Sequence, residues 1–284
     1  MHSKREHAMR RSLLLFLGAL LLGACVSGRT VEVGREPSPT GAVSEAEFKA
    51  MHTLRTDAAP PRKGQEVEVA GTKMYLSLPE GAKGPLPAVL VIHEWWGLNE
   101  HIQHWADRLA ANGYAALAVD LYGGKVATTR EEAMALVKSV DAARALEVLK
   151  AAHAFLQKDE RIRAERTGSL GWCFGGGWSL RAAMALPELD AAVLYYGNPV
   201  TDPNELSTIR AAVLGIFGTK DASIPPEKVA EFRQALDTAG VQHRILEFDA
   251  DHAFANPSGN RYDEHAASTA WQETSAFLEQ HLKR

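Results

Sequence analysis

Apolar and polar residues fall along this chain in blocks of two kinds. Short, nearly continuous apolar runs at 87–93, 115–120, 167–171, 191–196, 211–218 and 244–249 alternate with longer stretches at 101–112, 130–158, 175–186, 226–239 and 262–282, in which apolar residues return every three or four positions. A strand covered on both faces is apolar throughout, whereas a helix lying on a sheet is apolar along one stripe. The first set therefore predicts strands and the second helices, alternating as in a mostly parallel sheet with helices on both faces. Gly113, after Leu109-Ala110-Ala111-Asn112, and Gly240, after Asp237-Thr238-Ala239, act as helix stops. A hairpin is expected across 66–78, ahead of the first parallel strand. The chain shows no internal repeat, and residues 64–284 are a suitable length for one α/β domain.

The first 63 residues follow a different pattern. Lys4, Arg5, Arg10 and Arg11 precede an apolar run from Leu13 to Leu22 that is short for a membrane span and reads as a signal peptide. It ends Leu22-Gly23-Ala24-Cys25, small residues before a cysteine, as at a bacterial lipoprotein processing site. The expectation is that residues 1–25 are a leader, with Cys25 lipidated and the mature protein anchored on the periplasmic side of the cell envelope. The alternatives are an uncleaved anchor or a plain secretory signal that releases the protein to the periplasm. The pair Arg10-Arg11 suggests export of a folded chain, although its surroundings match that signal weakly. Residues 26–63, rich in Pro, Gly, Ser, Thr and charge, read as a flexible tether. One short helix is expected within it across 44–54, with a serine cap at Ser44 and Glu47 three residues later.

Composition narrows the chemistry. The net charge is −4 and no basic patch stands out, which argues against nucleic acid as a partner. There are two cysteines. Lipidation would consume Cys25 and leave Cys173 without a partner for an internal disulfide. An unpaired thiol is a liability in an oxidising compartment, so sulfur at 173 points to chemistry.

Cys173 lies in Gly171-Trp172-Cys173-Phe174-Gly175-Gly176, between a predicted strand and a predicted helix. Glycines two before and two after suit a sharp strand-to-helix turn that holds the central side chain clear at the top of a sheet. An acid and a base are then expected downstream, in that order. Asp221 follows the strand at 211–218 and His252 follows the strand at 244–249, both at the ends of the sheet where open α/β folds place their sites. By this geometry the backbone N–H groups of Phe174 and Trp95 are the candidate oxyanion donors. Trp95, Trp96 and Trp172 are either walls of a pocket or core aromatics.

Four segments are similar to the dienelactone hydrolase family: Val91-Ile92-His93-Glu94-Trp95-Trp96-Gly97-Leu98-Asn99, Asp120-Leu121-Tyr122, the glycine-flanked Cys173 run, and Asp251-His252-Ala253-Phe254-Ala255. The similarity runs from about Val67 to the C-terminus. It implies an α/β-hydrolase fold and a triad of Cys173 as nucleophile, His252 as base and Asp221 as the group that orients it. Glu94 would be a carboxylate that shares a proton with the resting thiol. The resemblance also implies substrate contacts at Arg130, Trp96, Tyr122 and Asn256. Asn256 stands where the family's founding enzyme has a second arginine for a substrate carboxylate, and Arg261 is nearby. Losing that arginine points to a broader esterase or lactonase, because asparagine cannot offer a bidentate cationic fork.

Other clusters carry less. His93-Glu94 begins like a zinc-protease motif, but Gly97 stands where a second histidine is required. His101 and His104 lack a third metal ligand, and Gly123-Gly124-Lys125 lacks the rest of a phosphate loop. No metal and no cofactor are expected. The expected partners are a small ester or lactone and, through the lipid anchor, the membrane, with the protein acting as a monomer. The competing hypothesis is a non-catalytic hydrolase-like domain that binds a ligand or an envelope partner, since fold alone does not confer activity.

Overall fold

The computed structural model describes residues 42–52 and 62–283, which belong to one compact unit. The leader, Cys25 and most of the tether lie outside the described residues. No helix among the described residues is long and apolar enough to cross a membrane. The strands are β1 (Gln65–Val69), β2 (Thr72–Ser77), β3 (Ala88–Ile92), β4 (Ala115–Val119), β5 (Thr167–Trp172), β6 (Ala191–Tyr195), β7 (Ala212–Gly218) and β8 (His243–Phe248). The helices are α1 (Glu45–His52), α2 (Glu100–Ala111), α3 (Arg130–Ser139), α4 (Ala142–Lys158), α5 (Phe174–Ala185), α6 (Pro203–Leu206), α7 (Pro226–Ala239) and α8 (Glu264–Leu282).

All eight strands form one sheet in the order β1-β2-β4-β3-β5-β6-β7-β8. β2 pairs antiparallel with β1 and β4, and every other pair is parallel. The six apolar runs form the six parallel strands. Strands β3, β4, β6 and β7 are buried along their whole length, which is why they read as unbroken apolar segments. The expected hairpin turns at Ala70 and Gly71, whose φ angles of 50° and 73° supply the twist that a two-residue connection needs. Side chains of α4, α5 and α7 pack on one face of the sheet, and those of α1, α2 and α8 on the other.

Two expectations change. The helical pattern at 130–158 is two helices, because Val140 and Asp141 are extended (ψ 117° and 118°) and the Asp141 side chain accepts the Arg144 N–H at 2.8 Å. An aspartate that caps a new helix competes with continuation of the old one. The apolar period is indifferent to such a break. The second change concerns the tether. The expected capping box forms, with the Ser44 N–H donating to Glu47 at 2.9 Å and the Glu47 N–H donating to Ser44 Oγ at 3.2 Å. The helix it starts, α1, is packed on the domain rather than free in a spacer. Phe48 is fully buried, 4.0 Å from the Trp105 ring.

Arg108 secures that contact. Its guanidinium lies within 4.3–5.1 Å of the ring centroids of Phe48, Trp105 and Trp271, and pairs with Glu45 at 3.3 Å. Burial pushes Arg108 down to about 10, against the opposing pull of Glu45, so it stays charged at neutral pH. A buried guanidinium needs both its carboxylate and its aromatic faces, and α1 supplies one of each.

Candidate active site

Four of the predicted site residues stand just past strand ends. Glu94 follows β3, Cys173 follows β5, Asp221 follows β7 and His252 follows β8, all at the C-terminal edge of the parallel sheet. Cys173 has φ 54° and ψ −117°, a strained conformation for a residue with a side chain, and opens helix α5. The flanking glycines are there for close approach. A Cβ on Gly171 would stand 2.2 Å from the Gly175 carbonyl oxygen, and one on Gly175 would stand 2.2 Å from that of Ile92. The turn is thereby pressed against both its own strand and β3.

His252 Nδ1 lies 2.6 Å from Asp221 Oδ2. Asp221 is buried, and burial alone would raise its carboxyl; the hydrogen bond and charge of His252 and the N–H groups of Ser223 and Ile224 hold it below its ordinary value. Burial alone would also push the imidazolium of His252 down. The Asp221 hydrogen bond, the nearness of Cys173 and the charges of both outweigh it and hold His252 up at about 10. His252 is thereby tied to Asp221, and Cys173 lines the same cavity.

Glu94 has a partner that the sequence did not suggest. Its Oε2 accepts from Asn256 Nδ2 at 2.8 Å. Burial raises Glu94 to about 7, opposed by the charge of His252 and the Asn256 hydrogen bond. Asn256 supplies the donor that a buried carboxyl requires, and the pairing leaves the expected exchange of a proton between Glu94 and Cys173 neither made nor excluded.

A cavity of about 1010 Å³ opens over these groups. Glu94, Trp95, Trp96, Arg130, Cys173, Phe174, His252 and Asn256 all line it, as does Arg261, which pairs with Asp251 at 3.7 Å. The Arg130 guanidinium lies 5.9 Å from the Trp95 ring centroid, and Trp95 and Trp96 meet edge to face. Phe174 is the first residue of α5, where a backbone N–H has no acceptor within its own helix, and Trp95 sits in the loop opposite. One prediction falls away and one open alternative is decided. Tyr122 lies behind the cavity rather than on its wall, its ring packed at 4.5 Å against His93 and 5.2 Å against Phe174. Trp172 is a core aromatic, buried against Trp105 and Tyr195.

Sequence reasoning missed His93 as a clamp. It is fully buried; its Nδ1 lies 2.6 Å from the Glu94 carbonyl oxygen, and its Nε2 accepts the Leu121 N–H at 3.1 Å. Nδ1 therefore carries the proton and donates. Burial lowers the imidazolium, so the ring is neutral and ties the Glu94-Trp95 loop to the end of β4. Asp120 holds that second loop by accepting from the N–H groups of Tyr122, at 2.8 Å, and Gly124. The sequence signal for His93 was its place at a strand end beside Glu94, which reads first as a metal motif. Among the described residues no group of three or more His, Cys, Asp or Glu could hold a metal ion. Tyr196, Arg181 and Asn198 also line the cavity without having been singled out.

Comparison with known proteins gives this site relatives. Residues 72–282 match the model of the Dienelactone hydrolase family. A Synechocystis protein with the provisional name carboxymethylenebutenolidase is 30% identical over 240 residues, covering 77% of this chain and 94% of its own. Among solved structures, a Klebsiella pneumoniae protein provisionally named a dienelactone hydrolase superposes with a TM-score of 0.71 at 33% identity, covering 76% of this chain and 98% of its own. A dienelactone hydrolase-like promiscuous phosphotriesterase from metagenomic libraries also has a TM-score of 0.71, at 25% identity, covering 77% and 98%. The sheet order and its helices are accordingly those of the α/β-hydrolase fold.

Proposed function

Because the chain belongs to the dienelactone hydrolase family and is a hydrolase of that kind, we propose that it cleaves small carboxylic esters or lactones through a thioester on Cys173. Sulfur attacks the carbonyl carbon with the proton of the pair already held on His252, and a C–S bond forms while the carbonyl π electrons move to oxygen. The N–H groups of Phe174 and Trp95 receive that oxyanion. As the tetrahedral intermediate collapses, the C–O bond to the leaving alcohol breaks and His252 returns its proton to the alkoxide. Water then adds to the thioester with His252 as base, and the carboxylic acid leaves as the pair is restored with the proton on His252. Asp221 keeps the Nδ1 proton of His252 in place and supports the imidazolium. Arg130, Trp96 and Asn256 contact the substrate on the cavity wall.

The observation that carries this reading is the 2.6 Å hydrogen bond between His252 and buried Asp221, with Cys173 held in its strained turn on the wall of the same open cavity. Steady-state hydrolysis of p-nitrophenyl acetate and small lactones tests it. Cys173→Ala is expected to lower kcat by at least about 10³-fold with unchanged thermal stability. Equal turnover in the variant would remove Cys173 from the mechanism.

We further propose that Cys25 carries a lipid that anchors the enzyme on the periplasmic side of the cell envelope. Metabolic labelling with palmitate is expected for the whole chain and not for Cys25→Ser. Labelling that persists in the variant refutes the anchor.

A further inference from the structure

The cavity is longer than its reacting end requires. Cys173, Gly177 and Arg181 follow one another at four-residue intervals along α5, and all three line the wall. Eight residues of helix advance about 12 Å. The Arg181 side chain folds back toward the helix N-terminus, its guanidinium 5.8 Å from the Trp178 ring centroid, which brings the charge to on the order of 10 Å from the sulfur. Gly177 lies midway and keeps the lane clear, since even a Cβ there would stand 3.3 Å from the Asn198 carbonyl oxygen.

The charges along this lane are unbalanced. Arg130, Arg181 and Arg261 line the cavity against a single carboxylate, Glu94, itself raised to about 7 by burial. Arg261 is paired with Asp251, whereas neither Arg130 nor Arg181 is in an ion pair among the described residues. Beyond Arg181 the cavity meets a second groove of about 360 Å³, which shares Trp178 and Arg181 and is walled by Leu146, Met184 and Ala185. Glu205 lines that groove too, without an ion pair to Arg181. An anion sliding past Arg181 would leave its cation for a mainly apolar wall and pay desolvation there.

We propose that Arg181 is a remote anion subsite, selecting esters whose acyl chain ends in a carboxylate about four bonds from the scissile carbonyl: the C–S bond takes about 2 Å and the carboxylate–guanidinium contact about 4 Å of the span, and the rest is chain at roughly 1.2 Å per bond. This rests on the hydrolase reading above and adds a substrate class to it. Arginine suits the task because its planar fork accepts both carboxylate oxygens at once.

The test uses p-nitrophenyl monoesters of straight-chain dicarboxylic acids, from succinate to dodecanedioate, against uncharged acyl esters of equal length. The ratio of kcat/KM, charged over uncharged, is expected to peak near glutarate. Arg181→Gln should lower that peak about five-fold, the upper end for an exposed ion pair, and Arg181→Lys should restore part of it. A ratio that is flat with length, or a peak that survives Arg181→Gln and vanishes in Arg130→Gln, overturns the subsite. Calorimetric binding of glutarate to the full chain carrying Cys173→Ala reads the subsite without turnover. Glutarate that binds this protein, and binds several-fold more weakly once Arg181→Gln is added, supports the subsite even where no ester is cleaved, in which case the hydrolase reading alone fails. Glutarate binding that is absent or indifferent to Arg181→Gln overturns the subsite whatever the hydrolysis shows.

Discussion

Replacing Glu94 by glutamine should make the protein more stable in mild base and leave it little changed in mild acid. Glu94 is 8% exposed, and burial raises its carboxyl from 4.5 to about 7. A group that holds its proton more tightly folded than unfolded favours the fold while both forms are protonated. The cost builds as pH rises from 4.5 to 7, where the unfolded chain has released its proton and the folded one has not, and it levels off above 7. A rise of that size corresponds to about 3 kcal/mol. Glutamine removes the ionisation and keeps an oxygen to accept from Asn256 Nδ2, so the geometry at 2.8 Å need not change. The assay is urea unfolding of the whole chain and of Glu94→Gln at pH 5 and pH 8, read by linear extrapolation. The stability difference between the two proteins should grow by about 2–3 kcal/mol in favour of the variant from the lower to the higher pH. A difference constant within about 0.5 kcal/mol would refute the argument, because it would mean that Glu94 titrates as a solvated carboxyl. In the same variant the hydrolysis profile should lose any limb near pH 7. If that limb persists unchanged, it belongs to another group.

Three further outcomes follow from the geometry. Asp221→Asn should cut kcat by about 10³–10⁴-fold, as in other triads; since the Asp221 hydrogen bond helps hold His252 at about 10, the alkaline limb of the pH profile should move down, and an unmoved limb would contradict the assignment. Gly175→Ala should cost more than about 3 kcal/mol or prevent folding, because the new Cβ meets two rigid carbonyls of the β3 end, Ile92 O at 2.2 Å and His93 O at 2.6 Å; a melting temperature equal to wild type would show that the elbow can relax. Phe48→Ala removes a fully buried ring, which in a core costs about 3–5 kcal/mol, yet the loss is capped by the free energy of releasing one eight-residue helix. Hydrogen exchange should therefore speed up in α1 while the global unfolding midpoint moves little, and a large global shift would show that α1 is integral to the domain.

The contrast between what could be read in the chain and what could not has a physical basis. Strands β3, β4, β6 and β7 are covered on both faces, so burial wrote them as continuous apolar runs, and chain order alone then put Glu94, Cys173, Asp221 and His252 at one edge of the sheet. Contacts between loops leave no such period. Nothing in the local sequence says that His93 spends both ring nitrogens on the backbones of two loops, or that Asn256 reaches Glu94 across 162 positions. The break between α3 and α4 was hidden for a related reason: one aspartate changes the backbone without disturbing the apolar stripe on either side. Helix α1 was legible as a helix and not as a docked one, because the signal for docking is a set of distant partners, Arg108 among its aromatic rings, rather than anything within residues 45–52. The same distinction bears on specificity. Residues that make the reaction possible stand at strand ends and announce themselves by neighbouring glycines and sequence order. Residues proposed to choose the substrate, such as Arg181, stand two helical turns away as the one charge on an otherwise apolar helix, and become visible only when the cavity is drawn around them.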